Sequence, residues 1–120
     1  MLEIKSCQKE NESVKERIDA LKNIDSTVRF ISIEPLIGDV GNLNLQGIHW
    51  AIVGGESGVN ARPMRSEWAI NVLRQCEEQN VAFYFKQWGT WGEDGVKRNK
   101  KTNGSILLGR RWKEYPSPNQ

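Results

Sequence analysis

The chain's 120 residues suffice for one domain with a modest core, in which roughly two thirds of the unfolded surface is buried. Its 38% hydrophobic and 27% charged residues are ordinary for a globular protein, and a net charge of +2 is too small by itself to imply a nucleic-acid partner. No apolar run approaches the roughly 20 residues of a membrane span, and residues 1–5 carry no signal-peptide pattern, so a membrane role is not expected and a cytoplasmic location is.

Residues 11–24 place Val14, Ile18, Leu21 and Ile24 at helical spacing among Lys and Glu, which predicts a helix capped by Asn11 or Ser13. Residues 28–34 read as a strand closed by Glu34-Pro35, because proline cannot donate a ladder bond. Residues 36–47, with Gly38, Gly41, Asn42, Asn44 and Gly47, read as a loop, and residues 48–53 as a second strand. A second helix follows over residues 67–79, with Ser66 as N-cap and Ala69, Val72, Leu73 and Cys76 on its buried face. Residues 81–87 form a third strand. The strands are continuously apolar, which predicts a parallel sheet covered on both faces.

Beyond Gly89 the chain turns polar and basic, and residues 90–120 read as an irregular segment of the same domain. Residues 105–108 form a short strand or turn, and a Pro-containing tail ends the chain. The order α-β-β-α-β leaves sheet edges open. Self-association as a dimer, or completion by a missing N-terminal half, is therefore expected.

The two cysteines, Cys7 and Cys76, stand far apart without a CxxC pair or a Cys/His cluster. They read as free thiols in a reducing compartment, and no metal site is expected.

The chemistry concentrates where strands end. Trp50-Ala51-Ile52-Val53 runs into Gly54-Gly55-Glu56-Ser57-Gly58, an apolar strand opening into a glycine-rich loop. In α/β proteins such ends are where ligands bind. Strand parity places Ser32, Glu34, Glu56 and Lys86 on one rim if their faces point inward. Two carboxylates and an ammonium there suit an amino-acid-like or polar substrate, and Gly54, Gly55 and Gly58 would admit it close to the backbone. The candidate ligand-binding residues are Ser32, Glu34, Gly54, Gly55, Glu56, Ser57, Arg62, Lys86 and Gln87. The competing reading is an internal salt-bridge network in which Glu34 or Glu56 pairs with Lys86 or Arg62. The loop is neither a Walker motif nor GxGxxG. Ser57 is not in a GxSxG elbow, and His49 falls at the opposite strand end, so a Ser-His-Asp hydrolase is not expected.

A second reading concerns Trp88, Trp91 and Trp112, interleaved with Lys97, Arg98, Lys100, Lys101, Arg110 and Arg111. That mixture could bind single-stranded nucleic acid by stacking and phosphate contact. The alternative, which Glu93-Asp94 and the small net charge favour, is a solvated loop with its tryptophans folded back.

Four separated motifs carry a resemblance, with Gly109-Arg110-Arg111-Trp112 near the end as a further match: Arg29-Phe30-Ile31-Ser32-Ile33-Glu34-Pro35-Leu36-Ile37-Gly38, Trp50 through the glycine-rich run to Gly58, Ala61-Arg62-Pro63-Met64, and Phe85-Lys86-Gln87-Trp88-Gly89. Together, over about residues 14–115, they resemble a phage-associated family of unknown function with a three-cysteine motif, the gp-thirty-seven/gp-sixty-eight type. The resemblance implies a radical-SAM-type partial (β/α) barrel, of which this chain would be the C-terminal half: an α/β, half-barrel fold with mostly parallel strands. It implies an iron–sulfur cluster and S-adenosylmethionine for full-length relatives, but no cofactor in this chain, where the cysteine motif is missing. The expectation is a truncated or split relative, with no catalytic role assigned to this chain alone because the cysteine cluster motif is absent. By the same resemblance Ser32, Glu34, Glu56 and Lys86 would face the cavity.

Overall fold

The computed structural model describes residues 2–6 and 28–116. The helix expected over residues 11–24, Cys7 and the last residues of the tail lie outside them.

Four strands form one parallel sheet: β1 (Leu2–Ser6), β2 (Arg29–Ile33), β3 (Trp50–Val53) and β4 (Ala82–Phe85), in that spatial order. The three predicted strands thus exist, each shorter than the run predicted for it. The start of the chain adds a fourth along the edge of β2, pairing Leu2 with Arg29 and Ser6 with Ile33. Helix α1 (Ser66–Gln79) connects β3 to β4.

Register explains the packing. Ile31, Ala51 and Phe83 lie side by side across β2, β3 and β4, as do Ile33, Val53 and Phe85. All six are at most 2% exposed and form the core with Ala69, Val72, Leu73 and Cys76 of α1. The alternate rows, Phe30–Trp50–Ala82 and Ser32–Ile52–Tyr84, occupy the opposite face. There Trp50, Ile52 and Tyr84 are only half-buried. The expectation of a sheet covered on both faces therefore holds fully for one face, while on the other Phe30, Ser32 and Ala82 are buried and Trp50, Ile52 and Tyr84 are not.

The half-barrel expectation reduces to a coarser result: a mixed α/β fold with an open parallel sheet and no barrel. The outer edge of β4 is taken by the chain's own residues 112–114 running antiparallel. The Phe85 N–H donates to the Trp112 carbonyl (2.7 Å) and the Glu114 N–H to the Phe83 carbonyl (3.2 Å). The Phe83 N–H also donates to Glu114 Oε1 at 3.0 Å. An edge the sequence left open is thus closed from within the chain.

The segment after Gly89 is more regular than its composition suggested. Helix α2 (Lys100–Asn103) precedes a hairpin of β5 (Ile106–Leu107) and β6 (Arg110–Arg111). Leu108 and Gly109 turn it, both at positive φ (52° and 77°), the geometry a two-residue hairpin requires.

Ser66 is the first residue of α1 rather than its cap. Arg65 holds the N-cap position in extended conformation, with no side-chain capping bond. Asn80 ends the helix in the left-handed conformation, which Asn tolerates, and the Val81 N–H returns to the Cys76 carbonyl at 2.9 Å. The glycine-containing loop before β3 is pinned to α1 by three amides. Asn71 Nδ2 donates to the Gly41 carbonyl (3.1 Å). Gln75 accepts from the Leu43 N–H (2.5 Å) and donates to Gly41 O (2.8 Å). Gln79 accepts from the Leu45 N–H (2.8 Å) and donates to Leu43 O (3.0 Å). The spacing i, i+4, i+8 puts all three on one helix face, where they satisfy loop backbone that no sheet pairs. This lets Leu36, Val40, Leu43 and Leu45 join the core.

Candidate functional site

Glu34 and Lys86 sit just beyond the carboxyl ends of β2 and β4, on the open face. Lys86 Nζ lies 3.3 Å from Glu34 Oε1, and Gln87 Nε2 donates to Glu34 Oε2 at 2.8 Å. The side chains are 54% and 27% exposed for Lys86 and Glu34, so the pair adds little stability and can exchange partners with a ligand. Below it a hollow of about 270 Å³ is lined by Ser32, Trp50, Ile52, Tyr84 and Tyr115. The Tyr115 ring lies 5.4 Å from that of Trp50 and 5.7 Å from that of Tyr84, giving the hollow aromatic walls. The Trp50 indole N–H is held by the Glu114 carbonyl at 2.9 Å. The extended backbone of residues 112–115 sets these positions: Trp112 turns to Phe83 in the core (6.2 Å), and Lys113 and Tyr115 turn to Tyr84 on the open face.

Glu56 does not join this pair. Arg62 grips it in a fork, Nε to Oε1 at 2.9 Å and Nη2 to Oε2 at 2.8 Å, and the Arg62 N–H adds a third bond of 2.9 Å. These bonds hold the Glu56 carboxyl well below its usual range, at about 2. The competing reading of the sequence, internal ion pairs, thus describes both carboxylates: Glu34 with Lys86 and Glu56 with Arg62. A second hollow of about 290 Å³ lies between them, lined by Glu34, Pro35, Gly55, Glu56, Ser57, Lys86, Gln87 and Lys100. The two hollows share Glu34 and Lys86.

The glycines serve contacts within the protein. A Cβ on Gly54 would stand 2.7 Å from Glu34 Oε2 and 2.9 Å from Gln87 Nε2. One on Gly55 would collide with the Trp88 carbonyl, and one on Gly89 with the Glu56 carbonyl. The loops after β3 and β4 therefore run backbone against backbone, joined by Gly55 N–H to Gln87 O (2.9 Å) and Thr90 N–H to Glu56 O (3.1 Å). Gly58 has open space around it at φ 116°.

The tryptophans are engaged. Trp88, which shares the sequence parity of Tyr84 and Lys86, nonetheless turns into the core because β4 ends at Phe85. It is 2% exposed, and its indole N–H donates to Ile106 O at 2.7 Å. Trp112 is buried, donates to Leu107 O at 2.7 Å and carries Arg110 3.8 Å over its ring. Trp91 donates to Ala61 O at 2.8 Å beneath Lys97. These rings are folded back, and those of Trp88 and Trp112 have no free face for a base.

A wider hollow of about 930 Å³ opens at the opposite strand ends, by His49, Cys76, Asn80 and Tyr115. His49 Nδ1 accepts from the Arg29 N–H at 2.9 Å, which ties the ring to the backbone. Burial pushes the Cys76 thiol up to about 12, so it stays protonated and unreactive at neutral pH. Among the described residues no group of three His, Cys, Asp or Glu side chains could hold a metal ion, and no helix is long and apolar enough to cross a membrane.

Fold and site together define an α/β protein with an open parallel sheet and a charged rim at its strand ends. The chain belongs to a family of proteins of unknown function, DUF5131, whose profile matches residues 5–116. No match was found among curated proteins or among solved structures.

Sequence reasoning missed Gln75 and Tyr115, and it assigned Lys100 to the basic segment rather than to the rim. The Asn71-Gln75-Gln79 spacing was a legible signal for the first. Nothing local announces Tyr115 or places Lys100 at the rim.

Proposed function

We propose that the rim is a binding site for a small ligand with an amino-acid head, S-adenosylmethionine being the candidate that the family resemblance suggests. The observation that carries this reading is the half-exposed Glu34–Lys86 pair at the mouth of an aromatic hollow. Glu34 suits the ligand's ammonium and Lys86 its carboxylate, each exchanging one ion pair for another. Ser32 adds a hydroxyl to the lining. Trp50, Tyr84 and Tyr115 suit a flat ring or a sulfonium cation.

An iron–sulfur cluster does not fit the described residues. Their one cysteine, Cys76, is buried on the core face of α1 near the far end of the strands, so no step is derived through such a cluster. The reading is therefore of binding and orientation by this chain's own side chains.

Calorimetric titration of the full chain with S-adenosylmethionine tests it. Saturable binding that weakens at least tenfold in both Glu34→Gln and Lys86→Met supports the reading. Unchanged affinity in both variants, or no binding by the wild-type chain, rejects it.

A further inference from the structure

The second hollow holds more donors than its own acceptors use. Its two carboxylates are each engaged: Glu34 by Lys86 and Gln87, Glu56 by the fork of Arg62. Gln87 Nε2 is also spent, on Glu34 and on the Gly55 carbonyl (3.0 Å). Lys100 is left over. It lines the hollow, is exposed, and among the described residues its ammonium has no ion pair. Ser57, also in the lining, has neither its N–H nor its hydroxyl bonded to a described residue. A hollow with a free ammonium, a free backbone N–H and a free hydroxyl, whose anions are already neutralised, selects an oxyanion.

We infer that the hollow between Ser57, Lys86 and Lys100 is an anion subsite of the rim, taking the carboxylate or phosphate end of a small ligand. The inference rests on reading the rim as a ligand site. It adds a residue from the basic segment, Lys100, which α2 carries to the strand ends. The order of the chain explains the arrangement. The Trp88 N–H donates to the Gly104 carbonyl at 3.0 Å, and Asn103 Nδ2 donates to the Gly89 and Thr90 carbonyls at 2.8 and 2.9 Å. These bonds fix α2 against the loop after β4, beside Lys86 and Gln87. Lys100 discriminates by charge, and Ser57 by directed hydrogen bonds.

Amide NMR of the full chain, titrated with inorganic phosphate and separately with acetate, tests the subsite, with sodium chloride at equal ionic strength as reference. Saturable shifts of the Ser57 and Lys100 amides beyond the chloride reference are expected. Lys100→Gln should raise the half-saturating concentration at least tenfold, and Lys101→Gln should leave it within about twofold. Response to phosphate alone marks a phosphoryl group, and response to both anions admits a carboxylate. No shift beyond chloride, or equal binding by wild type and Lys100→Gln, overturns the inference. Phosphate binding that persists where S-adenosylmethionine fails would reject the proposed ligand and keep the subsite. The reverse would reject the subsite alone.

Discussion

The two faces of the β2–β3–β4 sheet are built from alternate residues of the same short strands, and they differ in kind. On the helix side, Ile31, Ile33, Ala51, Val53, Phe83 and Phe85 meet α1 with no polar atom to satisfy. On the open side, one residue along each strand, come Trp50, Ile52 and Tyr84, half wet, and the buried Ser32, with Glu34 and Lys86 above them. A period of two thus separates the residues that hold the fold from those free to meet a ligand. Changes on one face should register as stability, and on the other as binding.

The sharpest way to break this comparison is a pair of neighbours. Phe83→Ala empties a fully buried site and should cost about 3–5 kcal/mol in urea denaturation. Tyr84→Ala, half-buried on the open face, should cost about 1 kcal/mol. Equal costs would mean the open face is as covered as the other.

Next comes the amide strap. Gln75→Ala leaves the Leu43 N–H without its acceptor in a buried setting and should cost about 1–3 kcal/mol, with the loop's amides exchanging faster. Glu78→Ala, exposed on the same helix, should change stability by less than about 0.5 kcal/mol. If Gln75→Ala proved as mild, the loop would be held by its leucines alone.

The smallest effect is on pH dependence. The folded Glu56 carboxyl titrates at about 2 against 4.5 without its partner, so its contribution is present above pH 4.5 and lost as pH falls towards 2. Asp94, held at about 2 by Arg98, contributes in the same direction from 3.8 downwards. Arg62→Met should therefore flatten the acid limb of a plot of urea midpoint against pH between 4.5 and 2, and leave its slope near neutrality unchanged. An unaltered acid limb would show that the fork contributes nothing to folding.

Much of this was legible in the sequence because its signals are local. The face of α1 follows from apolar residues at helical spacing, and Ala69, Val72, Leu73 and Cys76 are all buried as that spacing predicts. Parity likewise brings Ser32, Glu34 and Lys86 together. It fails for Trp88, since alternation lapses where β4 ends. It could not choose the partner of Glu56, because Arg62 is brought to it by the path of a loop.

The sequence by itself determined three of the four parallel strands, the helix between the last two, and the rim at their carboxyl ends, since each rests on periodicity over a few residues. It also carries the family membership. Only the tertiary structure decided that residues 112–115 close the edge of β4 and wall the hollow with Tyr115. Only there do Gly55 and Gly89 serve backbone contact, and only there does Lys100 stand beside Ser57. Those arrangements join residues tens of positions apart, and no local pattern encodes which distant backbone groups will satisfy one another.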